Sequence, residues 1–187
     1  EVTPTAETDE KKKTEVDKTK MKIEQFDESK IPDDIQKLDS IVIDHPDGKF
    51  LTNLELGVKD NYEVLFSLPE EKSYGEIISA VTDDRTCYEV RQEEQNLIVS
   101  YGYNRFTAGS QKKDEDCLIV QEDAKTYFNG SLVQSCPVQD FKEGVLTIGA
   151  CQVKFQAMNI YTSDGYTHQL IPALDENEKV CIYDVLT

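Results

Sequence analysis

Residues 153–187, VKFQAMNIYTSDGYTHQLIPALDENEKVCIYDVLT, decide the fold. Three short apolar runs are separated by two turn signals. The first signal is Ser163-Asp164-Gly165, and an Asp-Gly pair tolerates the positive φ that tight hairpins need. The second is the polar break Asp175-Glu176-Asn177-Glu178. Residues 180–185 are apolar on both faces except at Asp184, which predicts a central strand rather than an edge.

The same pattern extends back along the chain. Residues 144–151 (GVLTIGAC) read as a buried strand in which Gly149 allows a bulge or a close backbone approach. Asn129-Gly130 joins 126–128 to 131–134 as a type I′ hairpin, and 117–121 is a strand. Residues 103–115 (YNRFTAGSQKKDE) read as a polar loop carrying aromatics. Residues 87–91 and 96–102 flank the polar break 92–95 as another hairpin, with Leu97, Val99 and Tyr101 on one face. Residues 76–82 follow Gly75 as a strand. Tyr62, Val64, Phe66 and Leu68 alternate with Glu63 and Ser67 as a half-buried strand that Pro69 ends. Residues 40–44 and 49–53 are strands around the turn His45-Pro46-Asp47-Gly48.

Further upstream the pattern changes. Ile23, Phe26, Ile31, Ile35 and Leu38 have loose helical spacing, and Pro32 suits a first turn, so a short helix is expected at 32–38. Residues 1–22 carry six acidic and six basic residues and almost no large apolar ones. Such a segment has nothing to bury and reads as a disordered tether. The chain divides into a polar leader, 1–37, and a strand-rich domain, 38–187. About a dozen short strands with turn chemistry between them predict an all-β, two-sheet antiparallel β-sandwich, and the size favours a jelly roll. Glu1 at the start, with no signal peptide, reads as the start of a mature or trimmed chain.

Composition narrows the partners. The 187 residues are 38% hydrophobic and 30% charged, with net charge −17 and a pI near 4.4. That bias argues against nucleic acid and anionic membranes, both of which need clustered Lys and Arg. No apolar run approaches the about 20 residues of a membrane span, so no membrane insertion is expected. The five cysteines, 87, 117, 136, 151 and 181, form no CxxC and no Cys/His cluster, so no zinc site is expected. An all-reduced set is the leading expectation, with Cys136–Cys151 and Cys87–Cys117 as the candidate disulfides of the alternative.

Four stretches carry a family resemblance: residues 38–53 (LDSIVIDHPDGKFLTN), 126–133 (TYFNGSLV), 145–150 (VLTIGA) and 160–184 (IYTSDGYTHQLIPALDENEKVCIYD). Together they resemble the concanavalin A-like, laminin-G-like jelly-roll domains of gut Firmicutes surface proteins and of their phage tail proteins. The resemblance implies structural roles: positive φ at Asn129 and Gly130, a strand end at Pro172 and a turn cap at Asp175. It also implies an extracellular place, on a bacterial surface or, alternatively, in a phage virion.

Three functions follow. A jelly-roll glycosidase of the laminarinase type would carry E-x-D-x-x-E on one strand, since its two carboxyls must lie about 5 Å apart. That motif is missing. Glu70-Glu71, Asp83-Asp84 and Glu93-Glu94 read as turns and a hairpin loop, and His45 and His168 as surface or packing residues. No catalytic residue and no enzymatic activity are expected, although a pair of close facing carboxylates in a groove would restore the enzyme. A non-catalytic recognition or adhesion module, binding a glycan, is the leading expectation. Its partner would be a carbohydrate or a host or cell-surface protein. Its candidate ligand residues are Tyr74, Tyr101, Tyr103, Asn104 and Arg105, aromatics for stacking beside polar groups for sugar hydroxyls. A structural or receptor-binding domain of a phage tail is the third reading. No cofactor is expected. Calcium would have to use turn aspartates, Asp47, Asp83, Asp84, Asp164 and Asp175, which lack the alternating spacing of an EF-hand loop.

Overall fold

Period-two alternation lays this chain into two antiparallel sheets stacked face to face. The computed structural model describes residues 27–43, 50–82, 86–139, 141–149 and 152–186, with the side chains of Thr86 and Cys87 outside that set. The expected leader over 1–22, the turn at 45–48 and Asp83-Asp84 lie outside the described residues. The strands are β1 Gln36–Lys37, β2 Ile41–Ile43, β3 Phe50–Leu56, β4 Asn61–Ser67, β5 Ser73–Val81, β6 Thr86–Glu94, β7 Asn96–Tyr101, β8 Asn104–Ser110, β9 Asp116–Glu122, β10 Lys125–Phe128, β11 Ser131–Ser135, β12 Gly144–Ile148, β13 Val153–Tyr161, β14 Thr167–Leu174 and β15 Val180–Asp184.

One sheet has nine strands, in the order β1-β14-β13-β4-β9-β10-β11, with β15 added on β14 and β2 on β13. The other has six, in the order β3-β12-β5-β6-β7-β8. The chain passes between layers at β2–β3–β4–β5, β8–β9 and β11–β12–β13. This is the jelly-roll β-sandwich expected from the sequence.

The alternation explains which side chains meet. Tyr62, Val64 and Phe66 of β4 point inward beside Phe155, Met158 and Ile160 of β13, and all six are at most 1% exposed. Across the sandwich they face Ile78, Val90, Val99 and Leu146 of the six-stranded sheet, also buried. At one end Tyr88 packs edge-on against Tyr62 and Phe141, with ring centroids 5.5 Å apart, a favourable aromatic geometry.

The Asp164-Gly165 hairpin forms as expected, joining β13 to β14 with Gly165 at φ 94°. Asn129 and Gly130 have φ 48° and 89°, and the Asn129 side chain accepts the Leu118 N–H at 2.9 Å. Asp175 caps its turn, its carboxylate accepting the N–H groups of Asn177 and Lys179 at 2.8 and 2.9 Å.

β13 and β14 separate beyond the Met158–Leu170 pair. The incoming chain fills the split: β1 pairs with β14 at Leu174 and Ala173, and β2 pairs with β13 over Val153–Phe155. The Leu38 N–H completes the seam on the Pro172 carbonyl at 2.9 Å.

Several local expectations are corrected. In place of a helix at 32–38 there is one 3-10 turn at Glu28–Lys30, capped by Asp27, and then strand β1. Among the described residues β15 pairs only with β14, which makes it an edge strand there. Its side chains are exposed or half-buried, so two-sided apolarity in this run marks neither full burial nor a second ladder partner. Pro172 lies inside β14, opposite Ile182, rather than at a strand end. Residues 104–110 are strand β8 rather than loop, and β6 runs on through the polar residues 92–94 to a tight turn with Glu94 at φ 55°.

Cys117, Cys136 and Cys181 are free thiols, so neither candidate disulfide forms. Burial pushes the Cys117 thiol up to about 12. The thiolate is the reactive form, so Cys117 is expected to resist alkylation at neutral pH in the folded protein. In denaturant it should label at the rate of an ordinary thiol. Mass-spectrometric mapping of the labelled peptides checks this.

Candidate functional site

The outer face of the six-stranded sheet collects charged side chains on a floor of short ones. On β6, Glu89, Arg91 and Glu93 alternate with the buried Tyr88, Val90 and Gln92, so all three charges project outward. Directly opposite Glu89 lie Ser79 on β5 and Ser100 on β7. These three residues are only 6–7% exposed although they face outward. They form a recessed row that continues through Thr147 on one side and Arg105 on the other.

Charge fixes the side chains. Arg91 Nη1 donates to Glu89 Oε1 at 3.0 Å. Its Nε lies 3.3 Å from Glu93 Oε1 but is not aligned for a hydrogen bond, and it is shielded from solvent. Arg105 closes the chain on Glu93 from β8. On a flat sheet Arg105 and Glu93 would be about 16 Å apart, two strand spacings across and four residues along. The ordinary twist of a sheet and the reach of two long side chains bring them together. Glu76 of β5 stands directly opposite Arg91 on the same face and makes no ion pair among the described residues.

The expected ligand residues divide between the faces. Tyr74 and Arg105 lie on this outer face. Tyr74 is 65% exposed beside Glu93, and its hydroxyl donates to Glu94 at 3.0 Å, which pushes the phenol up. Tyr103 sits in the β7–β8 turn, 80% exposed, its N–H held by Gln139 at 2.7 Å. Tyr101 is turned into the core at 1% exposure, with its hydroxyl on the Val58 carbonyl, so it is closed to a ligand on either outer face. Asn104 pairs with Tyr101 and shares its inward side. The sequence reading missed Glu76, Glu89 and Arg91. Its available signal was the charge alternation in Glu89-Val90-Arg91-Gln92-Glu93, which the loop assigned to 92–95 cut short.

Other polar groups have structural partners. His168 Nδ1 lies 2.7 Å from Asp184, which also accepts the N–H groups of Gln169 and Leu186; His45 lies outside the described residues. Of the calcium candidates, Asp47, Asp83 and Asp84 lie outside the described residues. Asp164 is bound to the Thr162 hydroxyl, which holds its carboxyl below the usual range. Asp175 is occupied by its own turn. Among the described residues no group of three or more His, Cys, Asp or Glu is placed to hold a metal, and no helix is long and apolar enough to cross a membrane.

No family model and no curated protein matches the chain. Among solved structures, part of the fold is similar to an alginate lyase, AlgAT5, of polysaccharide lyase family 7. The identity is 14%, the coverage 60% of this chain and 66% of that one, and the TM-score 0.41. Another is the alginate lyase from Corynebacterium sp., at 15% identity, covering 70% of this chain and 62% of that one, with TM-score 0.34. The match spans less than two thirds of either enzyme's length. Both are enzymes, against the expectation of a non-catalytic module without enzymatic activity, and that expectation is withdrawn.

Proposed function

We propose that the outer face of the six-stranded sheet takes a carbohydrate chain and that the protein cleaves it, with Glu89 transferring a proton at the scissile bond. One observation carries this reading. A carboxylate 6% exposed sits on an outward face between two serines and is held by an arginine at 3.0 Å. The serines leave room for a ring above the carboxylate, and the arginine fixes its direction, as general acid–base catalysis requires. Tyr74 and Arg105 supply a stacking surface and hydrogen bonds at the rim.

Charge selects the substrate class. Glu76, Glu89 and Glu93 outnumber Arg91 and Arg105 on this face, which disfavours a polyanionic chain and suits a neutral glycan. The proposal places the protein outside the cell, where such chains occur. Neither a bacterial surface nor a virion is part of it.

The test is incubation with a panel of neutral and uronic-acid polysaccharides, read by new reducing ends and by the ultraviolet absorbance of unsaturated sugar ends. New reducing ends from a neutral glycan, without unsaturation, are expected. Failure to cleave any glycan, or unsaturated ends from a uronate, overturns the proposal.

A further inference from the structure

We propose that two buried glutamine amides and two loop carbonyls form a calcium site where the β4–β5 loop meets the ends of β6 and β8. This inference is independent of the glycan-cleaving reading. Gln92 shares the inward parity of Val90 and is 0% exposed, and Gln111, just past β8, is 4% exposed. The loop beside them starts at Leu68 and Pro69, and the Asp114 N–H holds the Leu68 carbonyl at 3.0 Å. The Glu70 and Glu71 side chains are exposed while their carbonyls face the two amides. Gln92 Nε2 lies 3.2 Å from both carbonyl oxygens, and Gln111 Nε2 lies 3.1 and 2.8 Å from the same two. Two amide ends and two carbonyl oxygens thus alternate around a four-cornered ring. The other end of each amide, its Oε1, is buried and receives no hydrogen bond among the described residues.

Turning both amides over keeps their outline and sets four oxygens around the ring. A square with sides of that length has its centre about 2.2 Å from each corner. That is too close for a water, whose hydrogen bonds run to about 2.8 Å. It is within a few tenths of an ångström of the about 2.3–2.6 Å at which calcium takes backbone and amide carbonyls. The turned state strands two Nε2 groups in place of two Oε1 atoms, so the number of unpaired buried ends is unchanged. A cation in the ring replaces the four hydrogen bonds that the rotation breaks. Magnesium sheds its water reluctantly and favours carboxylates, so a ring of neutral oxygens selects against it. The exposed Glu70 and Glu71 carboxylates and the net charge of −17 raise the local cation concentration. With no carboxylate in the ring, affinity belongs to the weak class, with Kd about 10⁻⁴–10⁻³ M.

The experiment follows thermal unfolding of the chelator-treated protein in calcium chloride at about 10 mM, well above that Kd, and in magnesium chloride and sodium chloride of equal ionic strength. Calcium alone should raise the midpoint. In nitrogen-15-labelled protein, calcium should move the side-chain amide signals of Gln92 and Gln111 as their bonds to the carbonyls break. Gln92→Leu should abolish the calcium response. Gln111→Glu sets a carboxylate against two carbonyl oxygens, so it should unfold at a lower temperature without calcium and recover with it. It should also bind calcium about tenfold more tightly than wild type, because charge in the ligand set raises affinity. An equal rise in magnesium or sodium, a Gln92→Leu protein that still responds, or a Gln111→Glu protein that calcium does not recover overturns the inference. In each of those cases the two amides are a hydrogen-bonded clamp on the loop, and the cleaving face is untouched.

Discussion

Phe155→Ala is expected to lower the free energy of unfolding by about 3–5 kcal/mol. Phe155 is 0% exposed in β13. It lies opposite Phe66 of β4 on one side and Ile41 of β2 on the other, and all three side chains point into the sandwich. Truncation would remove most of a ring from a position where two strand neighbours and the facing sheet all make contact. Urea denaturation should show a lower midpoint with an unchanged slope. A loss below about 1 kcal/mol would mean that the two layers do not meet at this strand.

Asp60→Ala should cost about 3 kcal/mol. Asp60 is 6% exposed between β3 and β4. One carboxylate oxygen accepts the Gly57 N–H at 2.7 Å, and the other accepts the Ser163 N–H at 2.8 Å. The second bond ties this turn to the β13–β14 hairpin, 103 residues away in sequence. Alanine would strand two amide donors and cut the tie between turns. Asp60→Asn keeps one acceptor oxygen and should recover part of the loss. Amide hydrogen exchange at Gly57 and Ser163 reads both ends of the link, and slow exchange at both sites in the alanine variant would contradict this account.

The fold was legible because two-sidedness repeats along the chain. Tyr62, Val64 and Phe66 alternate with polar neighbours, and Asp164-Gly165 and Asn129-Gly130 supply positive φ where hairpins need it. The elements misread were those whose polarity reflects a solvent-facing sheet surface. Residues 92–95 read as a break, yet Gln92 is buried and its amide donates to the carbonyls of Glu70 and Glu71. Glu93 belongs to the same strand as Glu89 and Arg91, and ending that strand at Arg91 cut the charge alternation short. Tyr101 failed in the opposite direction. An aromatic at a strand end looks available in the sequence, but the parity shared with Leu97 and Val99 already placed it in the core. That Glu76 stands opposite Arg91 could not be read from the sequence at all, because it depends on the register of β5 with β6 and on a bulge.

The split between β13 and β14 bears on how the molecule can be shortened. A version beginning after Ile43 would lack both short strands that occupy the fork. Two bare backbone ladders would then face each other across a gap about one strand wide, ready to accept an extended segment from a neighbouring molecule. Such a variant, which also loses the buried Ile41 and Ile43, is expected to dimerise or aggregate. A synthetic peptide spanning residues 34–45, added in excess, should hold it monomeric.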